Sequence, residues 1–303
     1  MSLKARWYKW QEELIKKYLV YTKGKAYKYA FSYWPFIELY PGPSGSTYVH
    51  FRKRHLLDAP PFSSLIRPFN KVYILGSGPS VNTQDLTPLK QEAVITLNGS
   101  LVATCQAGLV PYAHIIIDAN FILTRPDLVQ LLPPKVPLLV SLSALKAMAC
   151  FCPAQLHNRP VLLVRNPLGT FPQPLRCVQR LPQRHFVKSV DNPAYFSLTP
   201  DFGFADGGSV MTIGIQLAYY LGVQQVFLLG LDIGNAEQPR FYETKHNRQK
   251  CGLLKDYETK ILPFMQLTRQ VFEARGKEIY NCSPISKLPY EVIPYFHFPE
   301  KKR

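Results

Sequence analysis

From residue 71 onward, short runs of apolar and β-branched residues alternate with longer segments that carry apolar side chains at helical spacing. The runs are almost continuously hydrophobic, as is typical of parallel strands that are covered on both faces. Strands that alternate with helices in this way predict an α/β fold with an open, doubly wound, mostly parallel sheet. The predicted strands are residues 72–75, 93–97, 114–118, 137–142, 160–164, 225–231 and 278–281.

Two long segments in the C-terminal half have the hydrophobic spacing of amphipathic helices. Residues 209–222 form the first, and Gly222 at its end suits a helix C-terminus because glycine adopts the left-handed conformation without strain. Residues 255–276 form the second, and Pro263 within it predicts either a kink or a division into two helices.

The first 70 residues differ in composition from the rest and predict a separate N-terminal region, with the α/β domain spanning residues 71–303. They are rich in Tyr, Trp, Lys and Pro, and residues 7–31 can form a basic amphipathic helix. One interpretation is a helix packed on the core with its lysines in water. The other is a membrane-docking or acceptor-docking element whose Trp and Tyr side chains lie at the level of lipid headgroups.

A second irregular region interrupts the α/β pattern at residues 166–206, which are rich in proline and show no clear periodicity. Loops of this length in a compact domain usually act as lids or as binding insertions. We therefore predict a lid, or an insertion that holds an acceptor.

Charge narrows the choice of partners. The chain has a formal net charge of +16, and its first 55 residues hold eleven Lys or Arg against three Glu. Such a chain is expected to meet a polyanion, which includes nucleic acid, an anionic membrane surface or a phosphorylated glycolipid.

Neither membrane spans nor disulfides are indicated. No apolar stretch reaches the roughly 20 residues of a spanning helix, and the N-terminus lacks the apolar core of a secretory signal. The six cysteines show no CxxC spacing, and several lie within apolar runs. We expect a soluble cytoplasmic protein with reduced cysteines and no zinc site.

Small or polar residues follow several of the predicted strands. Ligands of open α/β sheets bind outside the carboxyl ends of the strands, so these residues together predict a binding crevice. They are Gly76, Ser77, Gly78, Pro79 and Ser80 after the first strand, Asn98 after the second, Asp118 after the third, and Asp232 after a later one.

The first turn, GSGPS, is not the full dinucleotide fingerprint because Val81 stands at the third glycine position. The chain also lacks GxxxxGK[ST], which weakens an NAD or ATP interpretation. The backbone N–H groups of residues 76–80 are still predicted to hold a phosphate or ribose, aided by the dipole of a following helix. The alternative is a tight strand-to-helix turn without a ligand.

A second glycine turn, DGGS, precedes the predicted helix 209–222. Gly207, Gly208 and Ser209 are predicted to offer N–H groups and a hydroxyl to a base or sugar. The alternative role is a helix N-cap formed by Asp206 or Ser209, and both roles are compatible.

Residues 230–246 bring several reactive side chains onto one loop. Arg and Tyr suit a departing phosphate, and Asp, Glu or His suits removal of a proton from an attacking hydroxyl. A solvated surface loop is the alternative. The chain contains no D-x-D motif, which favours a mechanism without a metal ion. The side chains are Asp232, Arg240, Tyr242, Glu243 and His246.

Taken in order, these motifs resemble those of the bacterial lipopolysaccharide core proteins described as Kdo transferase III, from about residue 70 to residue 297. The motifs are GSGPS, LNGS, IDAN, IQLAYYLGVQQVFLLGLDIG, RFYE and YNCSPISKLPYEVIP. More distantly, the layout is similar to bacterial CMP-sialic-acid sialyltransferases. The G-x-G-P-S turn also resembles a family of motility-associated glycosyltransferases and a pterin pyrophosphokinase.

The sialyltransferase resemblance implies a Rossmann-like fold, a CMP site and a tyrosine that binds the CMP phosphate. Tyr242 matches that tyrosine. A downstream histidine serves as the base in that family, but His246 lies 38 residues before Pro284, which is farther than the family spacing. The residues carried over to the CMP site are Gly76, Ser77, Gly78, Asn98 and Ser209, with Asp118 at a position that is polar in the family.

The expected activity is transfer of a Kdo-type ulosonic acid from CMP-Kdo to the lipopolysaccharide inner core, with inversion and without a metal or other cofactor. His246 or Asp232 would take the acceptor proton, while Arg240 and Tyr242 would stabilise the departing CMP phosphate. The enzyme would lie at the inner face of the inner membrane, against the lipid A acceptor.

Four alternatives remain. A sialyltransferase or another glycosyltransferase of this fold is the first, and a pterin-type pyrophosphokinase that needs ATP and Mg²⁺ is the second. A nucleic-acid-binding module is the third, although the strand ends are mainly neutral or acidic rather than basic. A binding protein without catalytic activity is the fourth.

Overall fold

A computed structural model describes residues 3–27, 29–169, 172, 176–234, 238–243 and 252–301. The strands are β1 (Ile37–Pro41), β2 (Thr47–Phe51), β3 (Arg54–Ala59), β4 (Lys71–Leu75), β5 (Ala93–Leu97), β6 (Ala113–Ile116), β7 (Leu138–Ser141), β8 (Val161–Val164), β9 (Phe186–Lys188), β10 (Tyr195–Ser197), β11 (Gln225–Leu229) and β12 (Glu278–Asn281). The α-helices are α1 (Leu3–Lys23), α2 (Leu101–Ala107), α3 (Ala119–Thr124), α4 (Pro126–Val129), α5 (Leu142–Phe151), α6 (Val210–Tyr220), α7 (Leu253–Asp256) and α8 (Leu262–Glu273).

All seven predicted strands form one seven-stranded sheet in the order β12-β11-β4-β5-β6-β7-β8, and every neighbouring pair is parallel. From β4 to β8 the chain moves outward in one direction, whereas β11 and β12 lie on the other side of β4. The connections therefore diverge between β4 and β11. This divergence is the topological switch point at which α/β sheets bind ligands.

Both faces of the sheet are covered, which explains the continuous hydrophobicity of its strands. Val72 and Ile74 of β4 pack in the same cluster as Ile213 of α6 and Phe264 of α8. Tyr73, the next residue along the strand, points into a cluster on the opposite face. The predicted doubly wound parallel sheet is confirmed.

The two predicted C-terminal helices are present, with one local difference. Gly222 follows α6 with a φ of +82°, the left-handed conformation that glycine favours. The other predicted helix starts as α7, widens into a π-helical turn over Tyr257–Ile261 and continues as α8. Pro263 lies in the first turn of α8, where its missing N–H is of little consequence.

The N-terminal region packs on the α/β sheet. Helix α1 buries Ala5 and Tyr8 in the cluster that contains the core side of α5. The Glu12 carboxylate lies 3.0 Å from Nζ of Lys146 on α5, and both side chains are largely buried. The interpretation as a packed helix thus describes one face of α1. The predicted domain boundary at residue 70 stays a prediction.

Strands β1, β2 and β3 form a separate antiparallel sheet beside α1. Val49 of β2 and Ala59 of β3 are buried in the same cluster as α1 and α5. The connection between β2 and β3 is a two-residue turn, Arg52 and Lys53, which is considered further below.

The Pro-rich insertion at residues 166–206 contributes to the core. Its strands β9 and β10 pair antiparallel, and Phe186, Phe196 and Phe204 are buried in the cluster that includes α6 and α8. Only the end of the insertion, at Asp206, reaches the main cavity among the described residues. The role of the insertion as a lid stays a prediction.

Among the helices that the structure describes, none is both long enough and apolar enough to cross a bilayer.

Candidate active site

A cavity of about 350 Å³ opens at the carboxyl edge of the sheet, at the switch point between β4 and β11. Its volume lies within the range of small-molecule sites, about 300–1,000 Å³. Four strand ends line it, as the sequence predicted for this edge. The lining residues from these ends are 76–79 after β4, Leu97 and Asn98 after β5, Ile117 and Asp118 after β6, and 230–233 after β11.

The glycine turn after β4 lies against the end of β11. The N–H of Gly76 donates to the carbonyl of Leu229 (2.8 Å), and the N–H of Gly78 donates to the carbonyl of Gly230 (3.1 Å). A Cβ at Gly78 would lie 2.4 Å from the Asp232 carboxylate, so only glycine permits this approach.

The prediction that the backbone N–H groups of residues 76–80 are free for a phosphate is therefore wrong at four of the five positions. Gly76 donates to the last residue of β11 and Gly78 donates to Gly230 just after that strand, the N–H of Ser80 donates to Asp232 (2.7 Å), and Pro79 has no N–H. Nor does an α-helix follow the turn, because Pro79–Asn82 forms a 3₁₀ turn instead. The α-helix dipole that we expected to aid phosphate binding is therefore not present at residues 79–82.

Asp232 holds the strand ends together. Its carboxylate accepts hydrogen bonds from the N–H and the hydroxyl of Ser80 (2.7 and 2.5 Å) and from the hydroxyl of Ser283 (2.5 Å). All three residues are buried. The carboxylate thus links the segments that follow β4, β11 and β12, and its oxygens are already occupied by protein donors.

Asn98 is held in the left-handed conformation, with a φ of +48°, directly after β5. Its side-chain oxygen Oδ1 is buried and has no hydrogen-bond partner among the residues that the structure describes. Because buried polar atoms are nearly always paired in folded proteins, an unpaired acceptor on a cavity wall indicates a ligand donor.

The second glycine turn forms the opposite wall of the cavity. The Ser209 hydroxyl accepts the N–H of Met211 (3.2 Å) and so caps α6, as the alternative interpretation expected. Gly208, with a φ of +79°, and Ser209 both line the cavity. The turn is fixed to the next helix by Asp206, whose carboxylate lies 3.0 Å from Nζ of Lys260.

Arg240 is oriented by Glu243. The guanidinium and the backbone N–H of Arg240 donate to the two carboxylate oxygens of Glu243, at 2.7 and 3.0 Å. The Glu243 side chain is fully buried, whereas that of Arg240 is 29% exposed. Both residues line the cavity, so the buried carboxylate presents a partly exposed guanidinium to it.

Tyr242 packs beside the glycine turn rather than on the cavity wall. A Cβ at Gly99 would lie 2.2 Å from its ring, so glycine is required for this contact. Burial raises the pKa of Tyr242, partly offset by Arg240, so the phenol is a hydrogen-bond donor at neutral pH. The phenol also forms a hydrogen bond with Ser77.

His246 lies outside the described residues, within 244–251. The residues on either side of this segment, Glu243 and Gly252, both line the cavity. The assignment of His246 as the base stays a prediction, as do the roles of the other site residues.

The sequence interpretation missed Asp256, Lys260 and Gln238, which also line the cavity, and Ser283, which binds Asp232. Asp256 and Lys260 are four residues apart in the helical segment from α7 to α8, so they share a face. Whether that face points to the cavity or to solvent depends on how the helical segment packs against the sheet. Burial acts to lower the pKa of Lys260, but the hydrogen bond to Asp206 and the charges of Asp206 and Asp256 together raise that pKa above its usual value.

Within the described ranges, no three His, Cys, Asp or Glu side chains are grouped in a way that could hold a metal ion.

We predict that Asp232→Asn destabilises the fold by about 1–3 kcal/mol, because an amide nitrogen would replace one acceptor oxygen in a buried three-donor site. Asp118→Asn is the matched control. Asp118 is exposed and caps α3, and Asn is an equally good cap, so that change should cost less than about 0.5 kcal/mol. Urea unfolding measures both. Equal small losses would show that the Asp232 carboxylate does not hold the strand ends.

Comparison with known proteins finds a similar family over the C-terminal part of the chain. Residues 193–298 match the model of the family described as 3-deoxy-D-manno-octulosonic acid transferase WaaZ. A probable 3-deoxy-manno-octulosonic acid transferase of Escherichia coli (strain K12) is 26% identical over 238 residues, which is 74% of this chain and 81% of the relative. The protein of the same description from Salmonella typhimurium is 24% identical over 230 residues, which is 72% of this chain and 84% of the relative.

Among solved structures, the sialyltransferase CstII from Campylobacter jejuni in complex with cytidine-5'-monophosphate is similar with a TM-score of 0.43. It is 16% identical, and the match covers 78% of this chain and 91% of CstII. The family model and the two curated relatives confirm the resemblance that the motifs predict. Over these ranges the chain is therefore similar to glycosyltransferases of the Kdo transferase type.

Proposed function

We propose that the protein transfers a Kdo-type ulosonic acid from CMP-Kdo to a sugar hydroxyl of the lipopolysaccharide inner core. The reaction would be a single displacement at the anomeric carbon with inversion. In it, the bond from that carbon to the CMP phosphate oxygen breaks as the bond to the acceptor oxygen forms. The names of the two curated relatives and the family match support this choice of sugar.

The observation that carries the proposal is the unpaired Oδ1 of Asn98 at the switch point. Asn98 lines a nucleotide-sized cavity and its buried Oδ1 has no protein donor, so a ligand donor would satisfy it once the side chain turned towards the cavity. The cytosine amino group and the ribose hydroxyls of CMP are such donors.

The departing CMP phosphate gains negative charge as the bond breaks, so donors that face it stabilise the transition state more than the ground state. Arg240 has a partly exposed guanidinium on the cavity wall, fixed by the buried Glu243. Tyr242 contributes a protonated phenol beside Ser77. These two side chains would bind the phosphate in place of the backbone N–H groups that β11 and Asp232 occupy.

His246 is our candidate for the base that takes the acceptor proton; in the sequence it stands between Glu243 and Gly252, two residues that line the cavity. Asp232, the other candidate, accepts three hydrogen bonds and is 4% exposed, which suits a positioning role better. We also propose that no metal takes part, because a CMP donor carries one phosphate and the chain has no D-x-D motif.

We predict that CMP raises the melting temperature of the purified protein and that EDTA leaves this shift unchanged. A ligand at 100 times its Kd stabilises the folded state by about 2.7 kcal/mol. Asn98→Gly should remove most of the shift, because glycine keeps the left-handed backbone but lacks the amide. Differential scanning fluorimetry with CMP, UDP, NAD and ATP plus Mg²⁺ measures the effect.

Asn158→Gly provides the control for this variant. Asn158 also has a left-handed backbone, with a φ of +58°, but it is exposed and does not line the cavity. Its CMP shift should equal that of the wild type. A shift with ATP and Mg²⁺ alone would instead support the pterin-type pyrophosphokinase.

We predict that Tyr242→Phe and Arg240→Gln each lower kcat about tenfold to a thousandfold with CMP-Kdo, since each removes a donor that strengthens as the phosphate departs. Tyr48→Phe, on the N-terminal sheet, is the control and should leave kcat unchanged. The measurement is CMP release from CMP-Kdo with a lipopolysaccharide core acceptor. Unchanged turnover in both site variants would contradict the assignment to the leaving group.

The acceptor of this reaction is a membrane glycolipid, and helix α1 carries a second face that suits a membrane surface. Exposed apolar and aromatic side chains recur every three or four residues along α1, so they form one stripe on the side away from the buried Ala5 and Tyr8. Basic residues such as Arg6 and Lys17 flank this stripe. The stripe consists of Leu3, Trp7, Trp10, Leu14, Tyr18 and Tyr21.

We propose that this stripe lies in the interface of an anionic membrane, as interfacial helices with basic flanks do. Aromatic side chains would sit at the headgroup level, and each flanking Lys or Arg would contribute about 1 kcal/mol of attraction. On the other side of α1, Nζ of Lys9 donates to Oδ1 of Asn120 (2.8 Å), two residues beyond Asp118, so the helix is fixed to the carboxyl edge of the sheet.

We predict that Trp10→Gln with Leu14→Gln lowers binding to vesicles that contain phosphatidylglycerol by more than tenfold, because two buried apolar side chains are lost from the interface. Val110→Gln with Val190→Gln removes two other exposed apolar side chains and should have no effect. Vesicle co-sedimentation measures both. Substitution is preferable to deletion of residues 1–55, since α1 also packs in the core.

A further inference from the structure

A second cavity, of about 220 Å³, lies between α1, α5 and the turn that joins β2 to β3. We call it the α1 cavity. It shares no lining residue with the cavity at the switch point. Its walls are largely aromatic, and three cationic side chains line it. The lining residues that matter here are Lys4, Tyr8, Phe36, Phe51, Arg52 and Lys146.

Each cation is held in place by the walls of the α1 cavity. Nζ of Lys4 donates to the carbonyl of Cys150 (2.6 Å), and Nζ of Lys146 lies 4.5 Å from the centroid of the Tyr8 ring. The Arg52 guanidinium lies 5.2 Å from the centroid of Phe51. These contacts fix the positions of the charges without neutralising them.

Only part of the positive charge is balanced. Glu12 pairs with Lys146 at 3.0 Å. In the described part of the chain, neither Lys4 nor Arg52 has a carboxylate within 4.0 Å. The α1 cavity is therefore left with an excess of about two positive charges, which the exposed residues Lys4 and Arg52 carry at its rim.

The Tyr8 hydroxyl belongs to the side of the α1 cavity that Glu12 occupies. Tyr8 is 4% exposed. Burial, together with the charge of Glu12 and a hydrogen bond to it, raises the pKa of Tyr8. The two cations without a carboxylate partner, Lys4 and Arg52, are therefore the groups available to an anion in the α1 cavity.

The turn that carries Arg52 is built from unfavourable residues. Arg52 and Lys53 both have left-handed backbones, with φ of +51° and +64°. Two-residue turns of this kind strongly prefer Asn or Gly, because other residues are strained in that conformation. Arginine at this position is unexpected on stability grounds, whereas a binding role for its guanidinium explains it.

We propose that the α1 cavity binds a phosphate group, held by Arg52 and Lys4. Phosphate is compact and doubly charged, and it accepts several hydrogen bonds, which matches the two cations. The group comes either from a phosphorylated lipid headgroup or from a soluble phosphate. Trp7 lines the cavity and also belongs to the exposed stripe of α1, so a headgroup at the membrane surface is within reach. The proposal does not depend on the sugar that is transferred.

The test compares Arg52→Asn with Lys53→Asn in the full chain. Both variants remove one positive charge from the same turn and place Asn at a left-handed position, so both should melt at or above the wild-type temperature. Only Arg52 lines the cavity. Titration calorimetry with inorganic phosphate at constant ionic strength should show affinity about tenfold to a hundredfold weaker for Arg52→Asn and unchanged for Lys53→Asn.

A vesicle measurement identifies the source of the phosphate. If Arg52→Asn weakens binding to vesicles with phosphatidic acid more than binding to vesicles with phosphatidylglycerol, the phosphate belongs to a lipid headgroup. Unchanged vesicle binding, with weakened binding of inorganic phosphate, supports a soluble one. Equal weakening of phosphate binding in both variants would show a general charge effect and overturn the proposal. The absence of saturable phosphate binding to the wild-type chain would overturn it as well.

Discussion

The buried carboxylate of Asp232 is the interaction on which the site depends. It accepts hydrogen bonds from Ser80 and Ser283 and thereby joins the segments that follow β4, β11 and β12. A buried carboxylate is stable only when donors surround it, so the three segments are mutually constrained. The same constraint requires glycine at position 78, since a side chain there would displace the carboxylate. The shape of the cavity at the switch point follows from this packing.

This packing has a chemical consequence for anion binding. In many nucleotide sites, backbone N–H groups at a helix start bind the phosphate. Here Gly76 and Gly78 donate to strand β11, and a 3₁₀ turn takes the place of the helix. The phosphate binding that we propose therefore rests on side chains. Arg240 and Tyr242 lie on the loop beyond β11, where Glu243 and Gly99 fix their positions. The side chains proposed to bind the phosphate and the hydrogen bonds that fix the strand ends thus lie at the same edge of the sheet.

Helix α1 links that edge to the basic N-terminal region. One face of the helix packs on α5 through Tyr8 and the Glu12–Lys146 pair, and the opposite face is an exposed apolar and aromatic stripe. The α1 cavity lies beside the helix, at the border between its packed side and its exposed stripe. The two interpretations of the N-terminal helix thus concern different sides of one element, and the packed side orients the exposed side relative to the sheet.

The seven strands of the sheet are predictable from the hydrophobic pattern, because residues buried on both faces must be continuously apolar, and the same pattern predicts that polar strand ends meet at one edge. The motifs also indicate the resemblance to Kdo transferases. Which polar groups remain available at that edge depends on contacts that form only in the folded chain. The N–H groups of Gly76, Gly78 and Ser80 are occupied by partners about 150 residues away. Asp256 and Lys260 reach the cavity because of how their helical segment packs. Local sequence patterns reflect secondary-structure propensity and burial. Hydrogen bonds between residues distant in sequence depend on how the whole chain folds.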